Sequence, residues 1–161
     1  MQHVLNKIWL LFLPFIGFAQ TSNNWINYSQ KYFKIKITQE GIYRLDSATL
    51  SNAGVPLNSI DARNLQLFGR GNEIPLYIEG ENDGVFNASD FLEFYAMQND
   101  GWLDHVLYNG SINNPNPYYS LYTDTASYFL TWNNSINNKR VGLETDVNFN
   151  SYTPSSFFWK E

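Results

Sequence analysis

The sequence contains no cysteine and only two histidines among its 161 residues. The lack of cysteine excludes disulfide bonds, a thiol nucleophile and thiolate metal ligands. His3 stands at the extreme N-terminus, which leaves His105, in "WLDHVLY", as the single histidine of the remaining chain. A lone histidine beside Asp104 is more typical of a surface or packing residue than of half a catalytic triad. The sequence therefore predicts no catalytic residue and no enzyme activity for this chain alone.

Clusters of positive charge are also missing. The chain has ten Lys and Arg and fifteen Asp and Glu residues, which gives a formal net charge of -5. Nucleic acids and anionic membrane surfaces attract proteins through basic patches, so both are poor candidates as partners.

The N-terminus contains the one long apolar run. Lys7 precedes the apolar stretch Ile8 to Phe18, and the small residue Ala19 follows it. This order predicts a secretory signal peptide at residues 1–19, with cleavage after Ala19 and an exported product. The alternative is a membrane anchor, but the run is short for a membrane span and Pro14 interrupts it. We therefore expect no transmembrane helix, and a location in the periplasm, at the cell surface or outside the cell.

Aromatic residues are abundant, with 12 Phe, 11 Tyr and 5 Trp. Such residues suit pleated, half-buried surfaces, and the length allows one domain at residues 20–161. Strict alternation predicts a β-hairpin from Tyr32 to Leu45. Asp46 is then expected to cap a short helix in which Leu50 and Ala53 face inward, with Gly54 ending it.

Further short strands are predicted at "NLQLFGRG", "EIPLYIEG", "DFLEFYAM", "ASYFLTW" and "KRVGLET". Pro75 implies an edge position or a strand start for the second of these. Gly69 and Gly71 flank Arg70, but Ile74 and a strand follow where a phosphate-binding loop needs a third Gly and a helix, so we expect a strand-ending bend. The predicted fold is mainly β, an antiparallel β-sandwich-like domain with one short helix.

The stretch "IEGENDGVFNASDFLEFY" resembles a calcium loop. Calcium loops place ligands at positions 1, 3, 5, 7, 9 and 12 around a Gly at position 6. With Gly84 at that position, the candidate ligands are Glu79, Glu81, Asp83, the Val85 carbonyl, Asn87 and Asp90. The side-chain lengths fit imperfectly and the flanks are strand-like, whereas the EF-hand needs helices. The alternative is a hairpin in which Asp83-Gly84 turns the chain while Asn87 and Asp90 bind loose backbone amides.

Aromatic residues in the predicted loops allow two interpretations. They could stack on sugar rings, or they could pack within the domain. The residues concerned are Trp102, Tyr108, Tyr118, Tyr119 and Trp132. At the C-terminus, "SSFFWKE" leaves Phe157, Phe158 and Trp159 beside the last residue, so we expect a longer protein to continue past Glu161.

Three motifs together carry a family resemblance. "KIKITQEGIYRL", "NLQLFGRG" and "NDGVFNASDFLEFYA" lie between about Tyr32 and Trp102. This region resembles the N-terminal region of gingipain-like cysteine peptidases, closest to the PorU-type sortases of the type IX secretion system. The match is looser beyond Trp102, and S-D-F stands here in place of the family's G-D-F. The acidic loop matches the family's D-G-x-F and D-x-x-E-F-Y elements, which favours the hairpin without excluding calcium.

The resemblance implies a β-rich domain that precedes a caspase-like peptidase domain in a longer surface protein. Sortases of this kind cleave the C-terminal signal of secreted cargo and attach the cargo to anionic lipopolysaccharide. Their catalytic His and Cys belong to the later domain, so no catalytic residue is carried over to this chain. The expected role is non-catalytic, in folding support, docking or positioning, with the downstream peptidase domain and other secretion components as partners. The alternative is a free-standing, secreted module that binds carbohydrate or calcium.

Overall fold

A computed structural model describes residues 23–108, 113–116 and 118–145, together with positions 148 and 153. The predicted signal peptide at 1–19 and the aromatic residues from Phe157 onward lie outside these residues. Within the described part of the chain, no helix is long and apolar enough to cross a membrane.

The described residues form seven strands and one short α-helix. The strands are β1 (Phe33–Ile37), β2 (Gly41–Asp46), β3 (Leu65–Gly69), β4 (Asn72–Ile74), β5 (Tyr77–Ile78), β6 (Phe91–Ala96) and β7 (Ala126–Trp132). Helix α1 (Ser47–Asn52) follows β2, and four 3₁₀ turns lie at Leu57–Ser59, Ala62–Asn64, Glu81–Asp83 and Asp104–Val106. The predicted mainly β, sandwich-like fold is confirmed.

All strand pairs are antiparallel and belong to two sheets. One sheet has the order β1-β7-β3-β4 and the other the order β2-β6-β5. Leu67 and Leu130 of the first sheet and Leu92 and Phe94 of the second are buried in one core. The Phe94 and Tyr128 rings, one from each sheet, contact with their centroids 6.1 Å apart. Burial of apolar area between the sheets is therefore what stabilises the fold.

The predicted hairpin from Tyr32 to Leu45 is wrong, although both of its strands exist. β1 pairs with β7 and β2 pairs with β6, so the two strands belong to different sheets. The chain crosses between the sheets at residues 38–40, where the Tyr43 hydroxyl donates to the Gln39 carbonyl over 2.7 Å. Alternation specifies which face of a strand is buried. The predicted hairpin and the observed pairing bury the same faces of β1 and β2, so alternation could not distinguish them.

Helix α1 begins as predicted but buries fewer residues. The Asp46 carboxylate accepts a hydrogen bond from the Thr49 amide at 2.7 Å, and Gly54 ends the helix with φ +83°. Leu50 is buried as expected, whereas Ala53 is exposed, which corrects the prediction for that residue. Val55, held by a bond from its amide to the Leu50 carbonyl, enters the core instead.

Two other predicted strands differ in the structure. Pro75 lies between β4 and β5 and separates "EIPLYIEG" into short strands of two sheets, since proline has no N–H to donate. "KRVGLET" forms no strand and makes a single bridge, between Arg140 and Leu76. The apolar residues of its alternating pattern are not buried, since Val141 is 54% and Leu143 is 90% exposed. The Arg70-Gly71 bend is confirmed as a two-residue hairpin turn with positive φ at both positions.

Candidate functional site

The acidic loop connects β5 to β6, and its outer carboxylates contact other side chains. Glu79 accepts a hydrogen bond from the Tyr77 hydroxyl. Glu81 pairs with Arg140, whose Nε lies 2.7 Å from the carboxylate. Both acids therefore have protein partners without an added ion.

The inner carboxylates bind the loop's own backbone. Asp83 accepts from the Val85 amide at 2.9 Å and from the Asn87 side-chain amide at 3.2 Å. Asp90, only 6% exposed, accepts from the Asn87 backbone amide at 2.7 Å. Gly84 turns the chain with φ +76°. This is the hydrogen bonding expected of a hairpin loop closed by turn-forming side chains.

The segment before β3 contains an ion pair of its own and is bonded to the acidic loop through its backbone. The Arg63 guanidinium donates to both carboxylate oxygens of Asp61, and this pairing lowers the pKa of Asp61 to about 2. The Ala62 amide donates to the Gly84 carbonyl over 3.1 Å. The tip of the acidic loop is thereby joined to the 3₁₀ turn Ala62–Asn64, which leads directly into β3.

The structure thus explains the acidic residues by hydrogen bonds and ion pairs. All five side chains proposed as calcium ligands have protein partners, and the Val85 side chain lies half exposed. Across the described ranges, no group of three or more Asp, Glu or His side chains is placed to hold a metal ion. Calcium binding stays a prediction, with the hairpin as its alternative.

Replacing Asp83 and Asp90 together by Ala distinguishes the calcium loop from the hairpin. We expect a loss of about 1–3 kcal/mol, because the Val85 and Asn87 amides lose their acceptors. The loss should be equal in calcium and in chelator, measured by thermal unfolding. A loss confined to calcium-containing buffer would instead establish a metal site.

A cleft of about 570 Å³ lies on the outer face of the four-stranded sheet, at the β3–β4 turn. Phe68 and Phe129 pair across β3 and β7 and form its floor. The Trp25 ring packs on both, with centroid distances of 5.3 and 5.4 Å. The volume falls within the range of small-molecule sites.

Trp102 and Arg70 also line the cleft and are here called its wall. Trp102 is 44% exposed, and the Arg70 guanidinium lies 5.9 Å from its ring centroid. Arg70 pairs with Asp100 at 2.9 Å and donates to the Gln98 carbonyl at 3.0 Å. These bonds join the β3–β4 turn to the loop that follows β6, so Arg70 holds the loop that contains Trp102.

Only one of the five aromatic residues singled out in the sequence lines this cleft. Trp102 does, while Trp132 stacks on Phe33 with centroids 6.2 Å apart, as a packing residue. The Tyr108 hydroxyl contacts that of Tyr122, which raises the pKa of Tyr108. Tyr118 and Tyr119 are exposed. The sequence reasoning missed Trp25, Phe68 and Phe129, which come together only through strand pairing.

Exposed apolar side chains concentrate in the connection between β6 and β7. Among the described residues, eight of the sixteen large exposed hydrophobic side chains lie between positions 102 and 122. Six of them lie outside the cleft and are here called the apolar connection: Val106, Leu107, Tyr118, Tyr119, Leu121 and Tyr122. Clusters of exposed apolar side chains mark interaction sites more often than isolated exposed apolar residues do.

Nothing in this chain supplies a cysteine nucleophile, since it has no cysteine. His105 lies in the 3₁₀ turn Asp104–Val106. Comparisons with protein-family models, with curated proteins and with solved structures gave no match.

Proposed function

We propose that this chain is a non-catalytic, exported β domain that docks onto a peptidase domain of the same longer protein. The resemblance of residues 32–102 to the N-terminal region of gingipain-like cysteine peptidases suggests the type of partner. Supporting folding of that domain, or positioning it among type IX secretion components, would be the biological role.

The observation that carries the proposal is the apolar connection. Leu107 and Tyr122 are 62% and 66% exposed, and four further apolar side chains accompany them. Removing such side chains from water is favourable by about 25 cal/mol per Å² of apolar area. A domain surface that covers them would gain this free energy, whereas a free-standing domain leaves them in water.

Substitutions in the apolar connection of the full-length protein test the proposal. After proteolytic cleavage between the domains, we expect the wild-type fragments to elute together in gel filtration. Leu107→Ser combined with Tyr122→Ser should separate them, because the buried apolar area is lost. Leu143→Ser, at a leucine that is 90% exposed elsewhere, is the matched control and should leave the fragments associated. Identical elution of all three proteins, or a complete gene without a peptidase domain, would contradict the proposal.

The second candidate function is a free-standing, secreted module that binds carbohydrate or calcium. The observation that favours its carbohydrate arm is the cleft between Trp25 and Trp102. Such a module would need no downstream partner.

A further inference from the structure

We infer that the aromatic cleft binds a neutral saccharide, with Trp102 as its principal contact. The inference rests on the second candidate function and specifies its site and ligand class. It does not involve the apolar connection, so a docking domain could possess the same site.

The aromatic surfaces are arranged for a flat apolar ligand. Trp25 packs on the floor formed by Phe68 and Phe129, and Trp102, on the wall, has nearly half of its surface exposed. The apolar faces of pyranose rings present C–H groups, which pack well on the electron-rich faces of Trp and Phe rings. A cleft with aromatic residues on floor and wall therefore offers a sugar ring more contact than a single exposed tyrosine does.

The charges around the cleft argue for a neutral ligand. Among the described residues that line the cleft, Arg70 alone is positively charged, and Asp100 neutralises it at 2.9 Å. Asp104 also lines the cleft, so no net positive charge is left to attract a phosphate or carboxylate. Phosphorylated ligands and nucleic acids need such charge.

Polar groups at the cleft suit hydroxyl ligands. Asn23, Thr125 and Ser127 add amide and hydroxyl groups beside the aromatic floor. The Nε of Arg70 is buried and has no hydrogen-bond partner among the described residues. Ligand sites combine apolar walls with a few polar groups that orient the ligand, and this cleft has both.

The backbone of Arg70 adopts a conformation that is unfavourable for arginine. Arg70 has φ +52°, in the left-handed region that costs a residue with a Cβ about 1–2 kcal/mol. Glycine or asparagine would suit this turn position better. The arginine instead contacts Asp100, Gln98 and Trp102, and so fixes the wall of the cleft.

The test is titration of the purified protein with xylohexaose, cellohexaose, mannohexaose and laminarihexaose, followed by tryptophan fluorescence and calorimetry. We expect at least one of them to bind at millimolar concentration. Trp102→Ala should weaken that binding by about tenfold or more, as truncation of a central aromatic contact does. Tyr119→Ala, at an exposed tyrosine outside the cleft, is the matched control and should bind as the wild type does. Ser127→Gln, which extends a side chain into the cleft, provides a second disabled variant if Trp102→Ala fails to fold.

Each other outcome overturns the inference in a distinct way. Binding that both cleft variants retain would place the sugar elsewhere and leave the second candidate function standing. The absence of binding to all four saccharides would overturn the inference together with the carbohydrate arm of the second candidate function. A proline decapeptide that binds through Trp102 while no saccharide does would replace the sugar by a peptide. None of these results bears on docking, which the Leu107 and Tyr122 variants report.

Discussion

Arg140→Ala is expected to destabilise the domain by about 2–4 kcal/mol. Its guanidinium donates to the carbonyls of Leu65 and Arg63 at 3.1 and 2.8 Å and pairs with Glu81 at 2.7 Å. One side chain thus joins the segment after β7 to the start of β3 and to the acidic loop. Its removal leaves partly buried carbonyls and a carboxylate without their donor, and hydrogen bonds to charged groups are the stronger ones.

Urea unfolding measures this effect, with Lys139→Ala as the matched control. Lys139 is the neighbouring basic residue and is exposed, so its truncation should change the free energy of unfolding by less than about 0.5 kcal/mol. Arg140→Lys should recover little, because a single ammonium cannot reach several carbonyls and a carboxylate in one plane. Equal stability of the Arg140→Ala and Lys139→Ala proteins would show that the bonds of Arg140 do not hold the acidic loop in place.

Gly80→Ala is the second substitution with a large expected effect. Gly80 has φ +82°, and an added Cβ would lie 2.5 Å from the Asp90 Cγ. Asp90 is buried and holds the Asn87 amide, so its carboxylate cannot move without losing that bond. We expect a loss of about 2–5 kcal/mol, the sum of left-handed strain and overpacking.

Gly54→Ala separates the two contributions. Gly54 has nearly the same φ, +83°, but nothing lies within 4 Å of its added Cβ. The free energy of unfolding of that variant should fall only by the cost of the left-handed backbone, about 1–2 kcal/mol. If Gly54→Ala and Gly80→Ala lower the free energy of unfolding by the same amount, Asp90 does not pack closely enough against Gly80 to add an overpacking cost.

Local sequence patterns predicted the strands better than they predicted their partners. Phe33, Ile35 and Ile37 face the core as alternation requires. The same pattern could not tell that β1 pairs with β7, nearly a hundred residues away, because strand pairing depends on the whole topology. The cap at Asp46 was predictable because its hydrogen bond is made within three residues.

The candidate sites divide in the same way. The acidic loop is continuous in sequence, so its turn at Gly84 and its side-chain bonds were within reach of sequence reasoning. The cleft is not, since Phe68 and Phe129 become neighbours only through the β3–β7 register. Trp25 precedes the first strand and carries no periodic signal. Trp102 alone was identified, from its position in a loop.

The most direct test of the docking role is hydrogen exchange of the apolar connection, read by mass spectrometry. The full-length protein and the 161-residue chain would be compared at backbone amides between residues 102 and 122. The proposed docking predicts slower exchange there in the full-length protein, with the exposed residues 141–145 unchanged as internal reference. Equal exchange of the connection in both proteins would contradict it.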